Sequence, residues 1–207
     1  EQNILLPSPA AVDICDAGIA LGEEEAALDS FWSAAWCGSS VPMAMCRIAA
    51  IEGRRGNFGR MLEHAEAAVE AARRHPLANA YAALAQWKLG DAVAAAARLD
   101  EALSLDPRNE LLLLTRVLVE GGAIGNFWHT MRSDTAQTGL DLAYDLADAG
   151  LYAQARAILE SVPDPNTPMV GYTLAYLAAR LGGDPKPDLA RLVPLRLSTA
   201  KSAMPVW

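Results

Sequence analysis

The chain has 207 residues, of which 52% are hydrophobic, a figure raised by alanine, and only 6% aromatic, a balance that favours helices over a β-rich fold. Its 25 acidic side chains against 17 basic ones give a net charge of −8, and with no basic run to replace phosphate counterions, generic nucleic-acid binding is disfavoured. No apolar run approaches the roughly 20 residues that cross a bilayer, and three cysteines, Cys15, Cys37 and Cys46, without metal-ligand spacing argue against a disulfide scaffold and for buried thiols.

The chain opens on Glu1-Gln2-Asn3, which has neither an initiator Met nor a signal-peptide pattern and reads as the start of an excised or processed piece. Ile14 and Ala17 mark a first amphipathic helix that turns at Gly22. Glu23, Glu24 and Glu25 then open a second helix, where acid suits the helix dipole. Ala27, Phe31 and Ala34 follow the glycine by five, nine and twelve positions and so share one helical face. The same offsets recur after Gly56, at Met61, Ala65 and Ala68, and after Gly90, at Ala95, Leu99 and Ala102. The interval between successive glycines is 34 residues both times. Ile48 and Ile51, then Ala82 and Ala85, place another helix before each turn. The unit is helix, glycine turn, helix. Arg73, Arg74 and His75 are read as the basic end of one second helix before Pro76, Asp91 as the start of the next, and Pro107 as its stop.

After Pro107 the phase breaks. Asn109 to Glu120 reads as a first helix, but the glycine-rich run from Gly121 to Gly125 stands where its partner should begin. The pattern returns at "LDLAYDLADAGLYAQARAILESVP", with Gly150, Ala155 and Leu159 in order, and a last pair is expected from Met169 to Leu181 and beyond Gly182-Gly183. The organisation read from this is a single helical-repeat domain over 1–207. It comprises three regular repeats (8–107), an irregular one (108–136), degenerate repeats (137–183) and a tail (184–207).

The 34-residue period, the glycine turns and Pro107 make the chain resemble the tetratricopeptide repeat, most closely in "AYAALAQWKLGDAVAAAARLDEALSLDPRN". That resemblance implies an all-α right-handed superhelix, an α-solenoid of about ten or eleven helices. Three further stretches, Trp32-Ser33-Ala34-Ala35-Trp36, Arg54-Arg55-Gly56 and Asp148-Ala149-Gly150-Leu151-Tyr152, are similar to the C-terminal repeat region of a bacterial family. In that family a galactose-mutarotase-like β-domain of unknown function precedes the repeats. The β-domain is not in this sequence, so its chemistry is not carried over.

No catalytic set stands out. His64-Ala65-Glu66 has half of a zinc-deaminase word without the Pro-Cys-x-x-Cys that completes it, and His64 reads as a surface histidine. Gly121, Gly122 and Gly125 lack the Lys-Ser/Thr of a phosphate loop. Trp32 and Trp36 are assigned to the core or to contacts between repeats. Neither a cofactor nor a metal is expected, and the chain is read as a noncatalytic scaffold. If Trp87 faces the concave side, Arg54, Trp87 and Lys88 would converge there, an aromatic with two cations able to hold an acidic or C-terminal peptide. The alternative at that place is a solvated rim. Expected partners are a protein or peptide, with the β-domain of a parent chain and a homodimer among them, no nucleic acid and no membrane, in the cytoplasm. The rival reading is a helical accessory or dimerisation region of a larger carbohydrate-active enzyme.

Overall fold

The computed structural model describes residues 24–36, 38–129, 131, 134–163, 165 and 167–190. Every regular element among them is a helix: α1 (Glu24–Ala34), α2 (Val41–Arg54), α3 (Phe58–Ala71), α4 (Pro76–Lys88), α5 (Ala92–Leu105), α6 (Glu110–Val119), α7 (Ile124–Trp128), α8 (Thr135–Asp148), α9 (Tyr152–Glu160), α10 (Pro168–Arg180) and α11 (Lys186–Ala190). Ile14, Cys15, Ala17, Gly22, Glu23, Cys37 and most of the predicted tail lie outside the described residues. The chain divides into two compact units: one runs to Gly122 and takes in Asp148–Gly150, and the other holds Ala123–Ala147 and resumes at Leu151.

The glycine turns obey one stereochemical rule. Gly56 and Gly90, at φ +77° and +92°, follow α2 and α4 in the left-handed region where a Cβ is penalised. Beyond each, the next amide reaches back five residues to an orphan carbonyl: Asn57 N–H donates to Glu52 O and Asp91 N–H to Gln86 O, both at 2.9 Å. This is the Schellman termination. Gly121, Gly150 and Gly182 share the positive φ. The helices that follow are capped by what the sequence offers there: Asp91 accepts from Ala94 N–H at 2.9 Å and Asn109 from Leu112 N–H at 3.2 Å.

One boundary differs from the sequence reading. Helix α3 ends at Ala71, so Arg73, Arg74 and His75 do not form its last turn. The residue before a proline is driven out of the α region, and His75, with ψ 112°, becomes the N-cap of α4, its Nδ1 accepting from Ala78 N–H. Arg73 instead pairs with Glu101 on α5.

In the first unit α4 packs against α2, α3, α5 and α6. A helix with four neighbours has no solvent face, and every residue from Ala78 to Ala85 is buried. Five of those eight are alanine, since larger side chains on all sides would hold the surrounding helices away. The recurring stripe is buried too: Ala27, Phe31 and Ala34 on α1, Met61, Ala65 and Ala68 on α3, and Ala95, Leu99 and Ala102 on α5. Trp32 and Trp36 are the exceptions to the expected packing, standing 40% and 87% exposed. Trp32 lies one residue, about 100° of helix, past Phe31 and therefore off the inner stripe. It stands edge-on to the His64 ring of α3, the centroids 5.4 Å apart.

The second unit is held by larger groups. Trp128 Nε1 donates to Ser161 Oγ at 2.9 Å. Arg156 on α9 pairs at 2.9 Å with the buried Asp188 on α11, and α10 packs against both of these helices.

Two glycines inside helices make opposite predictions. At Gly53 on α2 an added Cβ would sit 2.6 Å from the Ala149 carbonyl oxygen, within the same unit, whereas at Gly59 on α3 it would meet nothing within 4 Å. Gly53→Ala should therefore lower the urea midpoint, with a loss of about 1–3 kcal/mol from overpacking. Gly59→Ala should raise it, by up to about 1 kcal/mol of helix propensity. Equal shifts in the two variants would contradict the close approach at Gly53.

Candidate functional site

Trp87 and Lys88 form the C-terminal end of α4, just before the Gly90 turn. Burial along α4 ends at Ala85, so Trp87 is half-buried and Lys88 exposed. The Lys88 ammonium lies over the Trp87 ring, 4.7 Å from its centroid, a cation–π contact that leaves indole and cation presented together.

Arg54 ends α2, and its guanidinium has other partners. Nη1 donates to the Asp148 carboxylate at 2.6 Å and to the Asp148 carbonyl at 2.7 Å, while Nε and Nη2 donate to Glu24 at 3.2 and 3.1 Å. Arg47 binds the second Asp148 oxygen at 2.9 Å. The Arg54 and Asp148 side chains are each 13% exposed, so the fork fastens the Asp148–Gly150 turn to the end of α2. The structure thus brings Trp87 and Lys88 together and commits Arg54 to carboxylates of its own chain. Removing one partner from so enclosed a pair leaves a charge without compensation.

Two histidines sit in the first unit with altered acidity. Burial holds the His75 imidazole below the ordinary histidine range; its Nδ1 lies 3.9 Å from the sulfur of Cys46, a buried thiol outside any disulfide. Burial likewise lowers His64, helped by Arg60 and opposed by Glu52 and Glu63. Neither ring belongs to a metal cluster: among the described residues no three His, Cys, Asp or Glu side chains are placed to hold an ion. No helix among those residues is long and apolar enough to cross a membrane.

A second surface was not anticipated from the sequence. In the second unit α8 and α10 border an open groove of about 470 Å³, lined by Leu140, Asp141 and Tyr144 from α8 and by Met169, Tyr172 and Tyr176 from α10. Its large side chains are turned to solvent: Tyr144 is 60% exposed, Tyr176 52%, and Tyr172 and Met169 are comparable. The signal was present as two stripes of helical spacing, 137, 140, 141, 144 and 169, 172, 173, 176. Such a stripe reads equally well as core until neighbours are known.

No protein-family model matches the chain, and no curated protein does. Solved structures do. The chain is similar to a thermophilic tetratricopeptide-repeat protein of Thermus thermophilus, at 20% identity over 83% of this chain and 97% of that one, with a TM-score of 0.54. It is similar also to a tetratricopeptide repeat protein from Parabacteroides merdae, at 14% identity over 88% and 77% of the two chains, with a TM-score of 0.50. The fold is that of tetratricopeptide repeats.

The half-buried His64 and His75 give a pH prediction. With folded-state values below the ordinary 6.5, the unfolded chain binds more protons once the pH drops below that value, and stability falls. The urea midpoint should hold near pH 7.5 and decline from about pH 6.5 towards pH 5.5. His75→Asn, which keeps an acceptor at the cap, should flatten part of that decline; an unaltered slope would remove His75 as a source.

Proposed function

We propose that this chain is a noncatalytic interaction scaffold that holds a protein or peptide, with Trp87 and Lys88 at the end of α4 as its contact residues and Arg54 as the residue that fixes the neighbouring surface. The observation that carries the reading is the Lys88 ammonium stacked on a half-exposed Trp87 at 4.7 Å. Buried tryptophan area anchors an interface and a cation beside it selects an acidic or C-terminal carboxylate group. The fold supports the reading, because stacked helix pairs build continuous surfaces without a catalytic pocket. On a chain of charge −8, a local cation raises encounter with acidic segments while the remainder repels diffuse polyanions.

The partner is a protein or peptide, encountered in the cytoplasm. The resemblance to a bacterial family whose repeats follow a β-domain supplies one such partner, that domain itself, and a second copy of the chain is another.

Fluorescence anisotropy with a labelled acidic peptide ending in a free carboxylate tests the site. Trp87→Ala should weaken binding by more than about fivefold, the equivalent of the 1 kcal/mol that marks an interface anchor. Lys88→Ala should give a smaller loss that disappears between 50 and 300 mM salt. Arg54→Ala should chiefly lower the urea midpoint, by about 2–3 kcal/mol, because its partners are intramolecular. Unchanged affinity in Trp87→Ala, or no binding by the unaltered chain, would sink the proposal.

A further inference from the structure

Helices α3 and α5 of the first unit both pack against α4, and their side chains border a groove of about 220 Å³. Val69 of α3 with Ala102 and Leu105 of α5 give it apolar walls, and Asn79 of α4 also lines it. A cavity of about 150 Å³ takes a benzene-sized molecule, so a short aliphatic chain fits.

The polar groups of this lining are unequally occupied. Asn79 is only 6% exposed, and its Nδ2 donates to the Arg73 and His75 carbonyls at 2.9 and 3.0 Å. Because both partners are carbonyls, the orientation of the amide is fixed, and no donor among the described residues meets its Oδ1. A buried acceptor in that state is costly unless water or a guest in the groove donates to it.

The cations of the lining already have partners. Arg73 donates through Nε, at 3.1 Å, and through Nη2 to one oxygen of Glu101, Oε1, which leaves Oε2. That hydrogen bond holds the Glu101 carboxyl below the ordinary carboxylate range. Arg98 is matched by Glu66 and by Gln86. Arg74, which is not in the lining, donates to the Leu105 carbonyl at 3.1 Å. Glu70 is the remaining charge of the lining, and it has no ion pair or hydrogen bond among the described residues. It stands in the last turn of α3, where the helix dipole disfavours acid. An anion would compete with Glu101 and Glu66 for guanidinium groups that are already paired. The charge left unmatched is negative, and beside it are two further acceptors.

We propose that this groove binds a primary alkylammonium group, its N–H groups donating to Asn79 Oδ1 and to the Glu70 and Glu101 carboxylates and its methylene chain lying along Val69, Ala102 and Leu105. An ammonium carries three donors, one for each of these acceptors, and methylenes gain by leaving water for an apolar wall. The net charge of −8 draws such a cation to the protein. Two sources share this chemistry, a lysine side chain of a partner protein and a free diamine. The inference makes no use of Trp87 or Lys88, so it stands or fails apart from the site proposed above.

Two-dimensional amide NMR of the isotope-labelled full chain tests it with four probes: Nα-acetyl-lysine methylamide, cadaverine, the norleucine analogue that lacks the ammonium, and acetate. Both amines should shift the Asn79 side-chain amide and the backbone amides of Glu70 and Ala102, saturating at a Kd on the order of 1 mM. The norleucine analogue and acetate should leave those signals in place. Glu70→Gln should weaken both amines by about three- to fivefold, the range of a partly exposed ion pair, and added salt should bring the unaltered chain towards the variant. Glu70→Lys, which supplies the cation from the chain itself, should abolish binding, and the same spectra report whether either variant is folded. A lower Kd for the lysine probe supports the proposal with a partner's side chain as the source, and a lower one for cadaverine supports it with a free diamine. Unmoved signals with both amines, undiminished affinity in a folded Glu70 variant, or the same shifts produced by acetate or by the norleucine analogue would overturn it.

Discussion

The distance at which helices can approach α4 governs the first unit. With α2, α3, α5 and α6 all against it, α4 has little room for bulky residues, and the run from Ala78 to Ala85 is buried without a break. Alanine contributes little transfer free energy by itself. Its value here is backbone proximity, which multiplies dispersion contacts between close-packed chains. The large residues within the run, Tyr81 and Leu84, are fully buried and supply bulk where the neighbours leave room. Small residues therefore set the spacing of the pairs, and the larger Phe31, Met61 and Leu99 fill what remains.

That spacing requires chain reversals that are short and uniform. Among the described residues five glycines at positive φ supply them, and the carbonyls freed at these helix ends are satisfied within the turn instead of by side chains brought from elsewhere. The turn at Gly150 does more than reverse the chain. Its own Cβ position would fall 2.7 Å from the Cα of Arg54, and that of Gly53 would fall on the Ala149 carbonyl. Two glycines meeting backbone to backbone let Arg54 reach Asp148, so an absence of side chains makes room for an ion pair.

Charge and aromatic area are distributed differently in the two units. In the first, arginines are spent on carboxylates of the same unit, as with Arg54 on Asp148 and Glu24, and Arg98 on Glu66. The indole and ammonium at the end of α4 are left presented together. In the second, Arg156 is drawn inward to the buried Asp188, and the exposed surface between α8 and α10 is phenolic, with one carboxylate at its edge. A cation stacked on an indole and a phenolic groove with a carboxylate at its edge are thus separate features with separate physical causes.

The sequence by itself determined the elements and their period. Glycine at 34-residue intervals fixes where the chain turns because only glycine enters the left-handed region at no cost, and the offsets of five, nine and twelve fix which face of each second helix is buried because helical periodicity is local. Asp91 as a cap and the break after Pro107 are local for the same reason. What tertiary structure decided is every outcome that depends on a neighbour distant in sequence. Arg54 looks like a binding cation until Asp148, 94 residues on, occupies it. Trp36 looks like core, yet it stands 87% exposed. Tyr144, Tyr172 and Tyr176 sit on stripes that periodicity cannot tell from packing positions. A helical face records that it is apolar, and only the arrangement of the other helices decides whether protein or solvent meets it.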